Sequence, residues 1–321
     1  MLIDQRVFDP QGASLPNAVR LGRAYDAERM AGELARFTAG SGNVFSPANG
    51  RRVLPLRSLD GDPYRTSTGG PGIGTFRDTP WLGQLPYFGE ILAGLPGPVR
   101  GVRLWAAAPR SRTRDMRTPK IGPPWGFCRL HLPVAAGAGS RCLFVGESQH
   151  WAPGSLWFAA SWRSHTIVNR DVSDLVHLIV DLFHTAETED LFPAGFRPGP
   201  GGVLGLRRRP EVPLSPAQAR PFMARFRLPE LFCNWEHPGH RIRSGMSGAD
   251  IDAAIDVHRG ALALVLAGRP FCGLEHLGDG EFRLQGWSDE RTIQVTSVPR
   301  PAAVLRVREG TSSYVSCLPL R

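Results

Sequence analysis

Residues 127–183 read FCRLHLPVAAGAGSRCLFVGESQHWAPGSLWFAASWRSHTIVNRDVSDLVHLIVDLF. Five short apolar or alternating segments stand out: FCRLHLPV, RCLFVG, GSLWFAA, HTIVN and LVHLIVDL. Each is rich in branched and aromatic side chains, and Gly, Pro, Ser or Asp separates one from the next. A sixth, VRLWAAA, precedes them at 102–108. Short strands at this spacing predict a sandwich or jelly roll ending near Thr185.

Upstream of this block, residues 25–38 (YDAERMAGELARFT) put Met30, Leu34 and Phe37 on one face of a helix. Residues 79–95 (TPWLGQLPYFGEILAGL) read as a second, shorter helix, and the stretch between is turn-rich. Its glycine run, STGGPGIGT, lacks a following lysine and a strand–helix context, so it is a loop and not a phosphate cradle. Downstream, residues 189–228 are rich in Pro, Gly and Arg and read as a linker. Residues 247–267 (SGADIDAAIDVHRGALALVLA) read as a helix with Ser247 as N-cap. Strand-like segments follow at 281–287, 291–298 and 302–308. The expected organisation is a mainly β domain over 1–188, a linker over 189–228 and a small α+β domain over 229–321.

With 42% hydrophobic and 21% charged residues, a chain of 321 residues can bury a sizeable core. No apolar run approaches the roughly 20 residues of a membrane-spanning helix. The opening MLIDQRVFDP has no basic and apolar leader pattern, so no secretory signal is expected. Cys128, Cys142, Cys233, Cys272 and Cys317 are scattered, which predicts free thiols in a cytoplasmic protein. The formal charge is +9, and the 38 basic residues include a single lysine, Lys120. Two arginine clusters, Arg110–Arg117 and Arg207–Arg209, lack interleaved aromatics. That weighs against nucleic acid as a partner and toward a small anionic ligand.

Several of these stretches resemble the aspartyl/asparaginyl β-hydroxylase family of Fe(II)/2-oxoglutarate dioxygenases. TPWLGQLPYFGEIL is similar to the helix before its barrel, and VRLWAAAPRSR to its first core strand. CRLHLPV is similar to its R-x-H-[LI]-P strand; WAPGSLWF, SHTIVN and LVHLIVDL match its closing strands in order. The resemblance spans roughly residues 20–185 and leaves out the C-terminal third. It implies a double-stranded β-helix of the jelly-roll or cupin-like kind with N-terminal helices.

Carried over residue by residue, the resemblance assigns the distal iron-ligating histidine to His165. It assigns the carboxylate-contacting pair of the R-x-H strand to Arg129 and His131. The proximal metal ligand falls on Lys120 or Met116, with its acidic companion on Gly122 or Thr118, and the expected co-substrate arginine falls on Leu175. Methionine is too soft a donor for an Fe(II) oxygenase site, and lysine serves only when deprotonated. A leucine cannot hold a carboxylate.

The resulting expectation is an enzyme on this scaffold acting on an amino acid, a peptide-like molecule or another carboxylate, without iron or any other cofactor. Lys120, His131 and His165 are its catalytic candidates. Arg129, His131, Trp162 and His177 are its substrate-binding candidates. Lys120 is singled out because a buried amine titrates where a guanidinium does not. Trp125, Trp151 and Trp157 are expected in core and pocket wall. One alternative is a true Fe(II)/2-oxoglutarate hydroxylase with His165 as metal ligand, rearranged around His131, His177 and Asp115 or Asp171. Another is a non-catalytic binding protein. The C-terminal domain would cover the barrel mouth, recognise a partner or build a homo-oligomer. Cys233, His237 and His240, with Cys272 and His276, are a weak zinc candidate of non-standard spacing.

Overall fold

The structure, a computed structural model, describes residues 15–42, 44–48, 51–67, 69–197, 205–237, 239 and 249–321. The chain opens with β1 (Ala18–Ala24), α1 (Ala27–Ser41), β2 (Ser46–Ala48), β3 (Arg51–Leu59), β4 (Phe76–Asp78) and α2 (Pro86–Ala93). Then come β5 (Val99–Ala107), β6 (Ser111–Arg112), β7 (Phe127–Ala135), β8 (Ser140–Phe144), β9 (Glu147–Gln149), β10 (Ser155–Ala159), β11 (His165–Asn169) and β12 (Leu175–Phe183). The twelve strands form two facing sheets of eight and four. In the larger, the order is β1-β10-β7-β12-β5-β3-β2, with β4 on β3; in the smaller it is β6-β11-β8-β9. From β5 to β12 the chain passes back and forth between the sheets, with β8 and β9 a hairpin in the smaller one, which is the winding of a jelly roll. The fold is a double-stranded β-helix.

Side-chain parity explains both layers of the core. Along β7 and β12, Cys128, Leu130, Leu132, Val134, Leu178, Val180 and Leu182 face outward, against α1 and α2. Trp105, Cys142, Phe144, Trp151, Ile167, Leu175 and Ile179 fill the space between the sheets. Strand β12 lies between β7 and β5 and is covered on both faces, so every one of its residues is buried. Helix α1 packs through Met30, Leu34 and Phe37, the stripe predicted for it. Asp26 caps it, accepting the Arg29 N–H at 2.9 Å.

The C-terminal third differs from expectation. Residues 247–267 are not a helix: Asp250–His258 and Ala261–Leu266 are the strands β14 and β15. They follow β13 (Ala224–Pro229) and precede β16 (Arg269–His276), β17 (Glu281–Leu284), β18 (Arg291–Thr296), β19 (Ala302–Glu309) and β20 (Ser312–Pro319). All eight pair in chain order as an antiparallel meander. Among its described residues the unit is therefore all-β rather than α+β, with only short helical turns at Pro216–Ala219, Arg220–Phe222 and Glu230–Cys233. The alanines of DIDAAIDVH suggest a helix, yet the stretch alternates, with Ala253 and Ile255 inside and Asp252 exposed. Arg259 and Gly260 then take φ of 51° and 85°, the two left-handed residues of a tight hairpin turn.

The stretch expected as a linker is pinned down where it is described. Arg207 pairs with Glu189 at 2.6 Å, Arg208 with Glu275 at 2.7 Å, and Arg209 with both Glu281 and Asp289. The two units share a core as well. Phe127 meets Trp287 edge-to-face at 4.8 Å, and Arg100, fully buried, donates to the Gly286 carbonyl at 2.8 Å.

Candidate functional site

The inward residues of the large sheet form a continuous aromatic and imidazole layer. Strand register sets His177 opposite Trp105 on one side and Pro133 on the other, and Trp157 opposite His131. The His131 and His177 rings meet edge-on at 5.8 Å, and Trp151 stacks on His177 at 5.8 Å and on Trp157 at 5.4 Å. The gap between Cys142, Trp151, Ile167, Leu175 and His177 is only about 10 Å³, the room of one water at most. Leu175 thus belongs to a packed wall. Both ring nitrogens of His131, Nδ1 of His177 and Nε1 of Trp105 are buried without a hydrogen-bond partner. Burial pushes the His177 imidazole down to about 3. His131 is held well below its ordinary value, first by burial and then by His177 and Arg129.

Beside this layer lies a charged one. The Arg129 guanidinium grips Asp181 with two bonds, of 2.6 and 2.9 Å, and donates to the Thr118 hydroxyl at 2.8 Å. Arg103 donates to the same carboxylate at 3.0 Å. Buried and flanked by cations, Asp181 stays ionised: burial opposes this, but Arg129 and Arg103 hold its carboxyl far below the usual range. Arg51 lies over the Trp105 ring, 5.6 Å from its centroid, with its Nε buried and unpaired. Its pKa is lowered, first by burial and then by the field of Arg129. Two arginines therefore share a single carboxylate, and a third, Arg51, lies in the field of Arg129.

His165 sits at the edge of this layer, 7% exposed. Its Nδ1 is 2.9 Å from the Arg163 carbonyl, so Nδ1 carries the proton and Nε2 keeps a lone pair. Its pKa is lowered by burial, which the Arg163 carbonyl opposes and Arg129 and Arg51 reinforce. Met116 forms a bridge pair with His165. Register thus selects Met116, not Lys120, as the residue opposite the expected metal ligand, and Thr118 as the one in the acidic position.

Three expectations need correction. Lys120 does not join Arg129 and His131. It is 1% exposed, and its Nζ pairs with Glu290 at 2.6 Å and Glu309 at 2.9 Å, both from the C-terminal unit. Trp162 does not join the layer of Arg129 and His131: it packs into the helix-side core, edge-on to Trp125 at 5.7 Å. His177 does line the barrel interior, but it is wedged between Trp105 and Trp151. Asp115 and Asp171 are taken up elsewhere, by the Ser164 hydroxyl and the Gly139 N–H. In the C-terminal unit, Nδ1 of His276 bonds the Val212 carbonyl and burial pushes the Cys272 thiol up, while His240 lies outside the described residues.

Among the described residues, no three His, Cys, Asp or Glu side chains come together as a metal site. His165 is matched by a thioether where a hard ligand is needed.

No protein-family model and no curated protein sequence matches the chain. Among solved structures, a 2OG-Fe(II) oxygenase family oxidoreductase from Burkholderia pseudomallei matches at 12% identity and TM-score 0.36, over 54% of this chain and 87% of that one. A prolyl-4-hydroxylase from Pseudomonas putida matches at 10% identity and TM-score 0.34, over 53% and 94%. A Cupin 2 conserved barrel domain protein from Salinispora arenicola matches at 11% and 0.25, over 46% and 87%. Likeness at this level adds nothing to the strand order, which establishes the fold by itself.

Proposed function

We propose that the chain acts on a small carboxylate-bearing molecule, an amino acid or peptide-like compound, by proton transfer rather than iron-dependent oxidation. The observation that carries this reading is the placement of His165: its Nδ1 lies 2.9 Å from the Arg163 carbonyl, which leaves Nε2 for a substrate, and the cations Arg51 and Arg129 stand beside it and, with burial, disfavour its protonation. Asp181 neutralises one of three arginines, so the remaining positive charge favours an anion. Arg51 and the free N–H groups of Arg129 hold the substrate carboxylate. Nε2 of His165 takes a proton from the neighbouring atom and returns it, so the step needs no oxidant. Arg103 and Asp181 are positioning residues that keep the Arg129 fork oriented.

The test pairs binding with exchange. Succinate, L-aspartate and 2-oxoglutarate are titrated by calorimetry, and loss of their carbon-bound protons to deuterated water is followed by NMR. Arg51→Ala should weaken binding about tenfold, the worth of one charged contact. His165→Gln should keep binding and abolish exchange. Near one equivalent of Fe(II) per chain, lost in His165→Ala, would restore the hydroxylase reading instead. The packed tryptophan and histidine interior supports a second reading, a non-catalytic binding protein. Binding without exchange in the wild-type chain would select it.

A further inference from the structure

The outer face of the smaller sheet carries an unneutralised row of arginines. Arg112, Val168 and Arg141 are cross-strand neighbours in that order. The adjacent Cys142 and Ile167 point into the core, so this row points out. Arg114 lies two residues along the same extended run. Arg110 and Arg170 stand at the end of the row, where the Arg110 N–H bonds the Asp171 carbonyl at 3.1 Å. Arg110, Arg112, Arg114 and Arg170 are exposed.

Some surface arginines have carboxylate partners, as Arg29 has Glu90, Arg57 has Asp78 and Arg227 has Asp252, and others such as Arg20 and Arg36 stand singly; the row on the smaller sheet is distinct in bringing several unpaired guanidinium groups together. Among the described residues, Arg110, Arg112, Arg114, Arg141 and Arg170 have no carboxylate partner. The neighbouring acids are turned away: Asp115 to Ser164, Asp171 to the Gly139 N–H, and Glu147 to Asn17 and Gln149.

The second feature is the edge itself. Among the described residues, strand β6 pairs only with β11. The Thr113 N–H bonds the Ile167 carbonyl at 2.9 Å, which makes Arg112 and Val168 a non-hydrogen-bonded pair. The N–H and C=O of Arg112 therefore point off the sheet. Along such an edge, alternate side chains repeat about every 6.6 Å on one face.

We propose that the β6 edge accepts an extended acidic peptide segment as an added strand. Its alternate Asp or Glu side chains lie over Arg112 and Arg114, with Arg141, Arg110 and Arg170 completing the positive field. Main-chain bonds to Arg112 supply affinity, and the two-residue repeat supplies selectivity. Nucleic acid fits less well. A base-stacking surface needs exposed aromatics, and Trp105, Phe144 and Trp151 are turned into the core. This site is separate from the carboxylate contacts proposed at His165, Arg51 and Arg129 and stands or falls without them.

The test is fluorescence anisotropy at physiological salt with a labelled alternating Glu-Val octapeptide. A block peptide of the same composition and an oligodeoxythymidylate serve as competitors. The alternating peptide should bind at least about tenfold tighter than the block peptide. Arg112→Glu with Arg141→Glu should weaken it by about tenfold or more, leaving succinate binding and the thermal midpoint unchanged, whereas Arg300→Glu should leave it unaltered. N-methylating one set of alternate peptide amides should abolish binding, and methylating the other set should not; this arm needs no protein variant. Equal binding of the block peptide, tighter binding of the oligonucleotide, or indifference to N-methylation would overturn the proposal.

Discussion

At Lys120, one ammonium compensates two carboxylates from the other end of the chain. Glu290 is fully buried and has Arg291 beside it, and Glu309 also accepts from the Trp125 indole. Burial raises the Glu290 pKa, but Arg291 and Lys120 prevail and hold it low. Lys120→Met should therefore lower stability by about 3–5 kcal/mol, the cost of leaving a buried charge short of its partner; urea unfolding measures it. His131 and His177 predict a pH dependence. Both are held neutral in the fold and titrate near 6.5 when unfolded. The unfolded chain takes up their protons first, so stability should fall as pH drops below about 6.5 and continue falling toward His177's folded value of about 3. A urea midpoint that stays flat from pH 7 to 5 would contradict this. Sequence reading found His165 and Arg129 but missed Asp181, Arg103 and Arg51. The signal was there: Asp181 is a lone carboxylate in an apolar strand, on the same parity as His177. What sequence alone does not supply is the register that sets Asp181 opposite Arg129.

At the scale of elements, apolar periodicity identified α1, α2 and the strands β5, β7, β8, β10, β11 and β12, because each of those segments buries a run of apolar side chains; it passed over the short polar strand β9. It failed over 247–267, where alanine's helix propensity masked an alternating pattern that the meander then used. It also passed over β1 and β3, which extend the large sheet through polar-looking segments such as RRVLPLRSL. The hairpin turn between β14 and β15 offers a test. Arg259 is forced to φ of 51°, a region asparagine tolerates better. Arg259→Asn should raise stability by about 0.5 kcal/mol, and Gly260→Val should lower it by about 1–2 kcal/mol, both read from chemical denaturation.

Across the whole molecule, the two units do not behave as beads on a string. Ile121, Phe127 and Phe183 of the first unit lie in the hydrophobic cluster of the second. The Ser288 hydroxyl donates to the Trp125 carbonyl, and a Cβ on Gly126 would fall 2.7 Å from Ser288. Calorimetry should accordingly show one cooperative transition; two resolved peaks would refute the shared core. The Lys120 contact has a further consequence for synthesis. Its partner Glu290 lies 170 positions later in the chain. At about 5–20 residues per second, a ribosome needs on the order of 10 to 30 s to supply it. Nascent chains stalled near residue 250 should stay protease-sensitive around residues 119–126, even though every strand of the β-helix has already been made. The barrel is thus translated first and completed late, once Glu290 and Glu309 have left the tunnel.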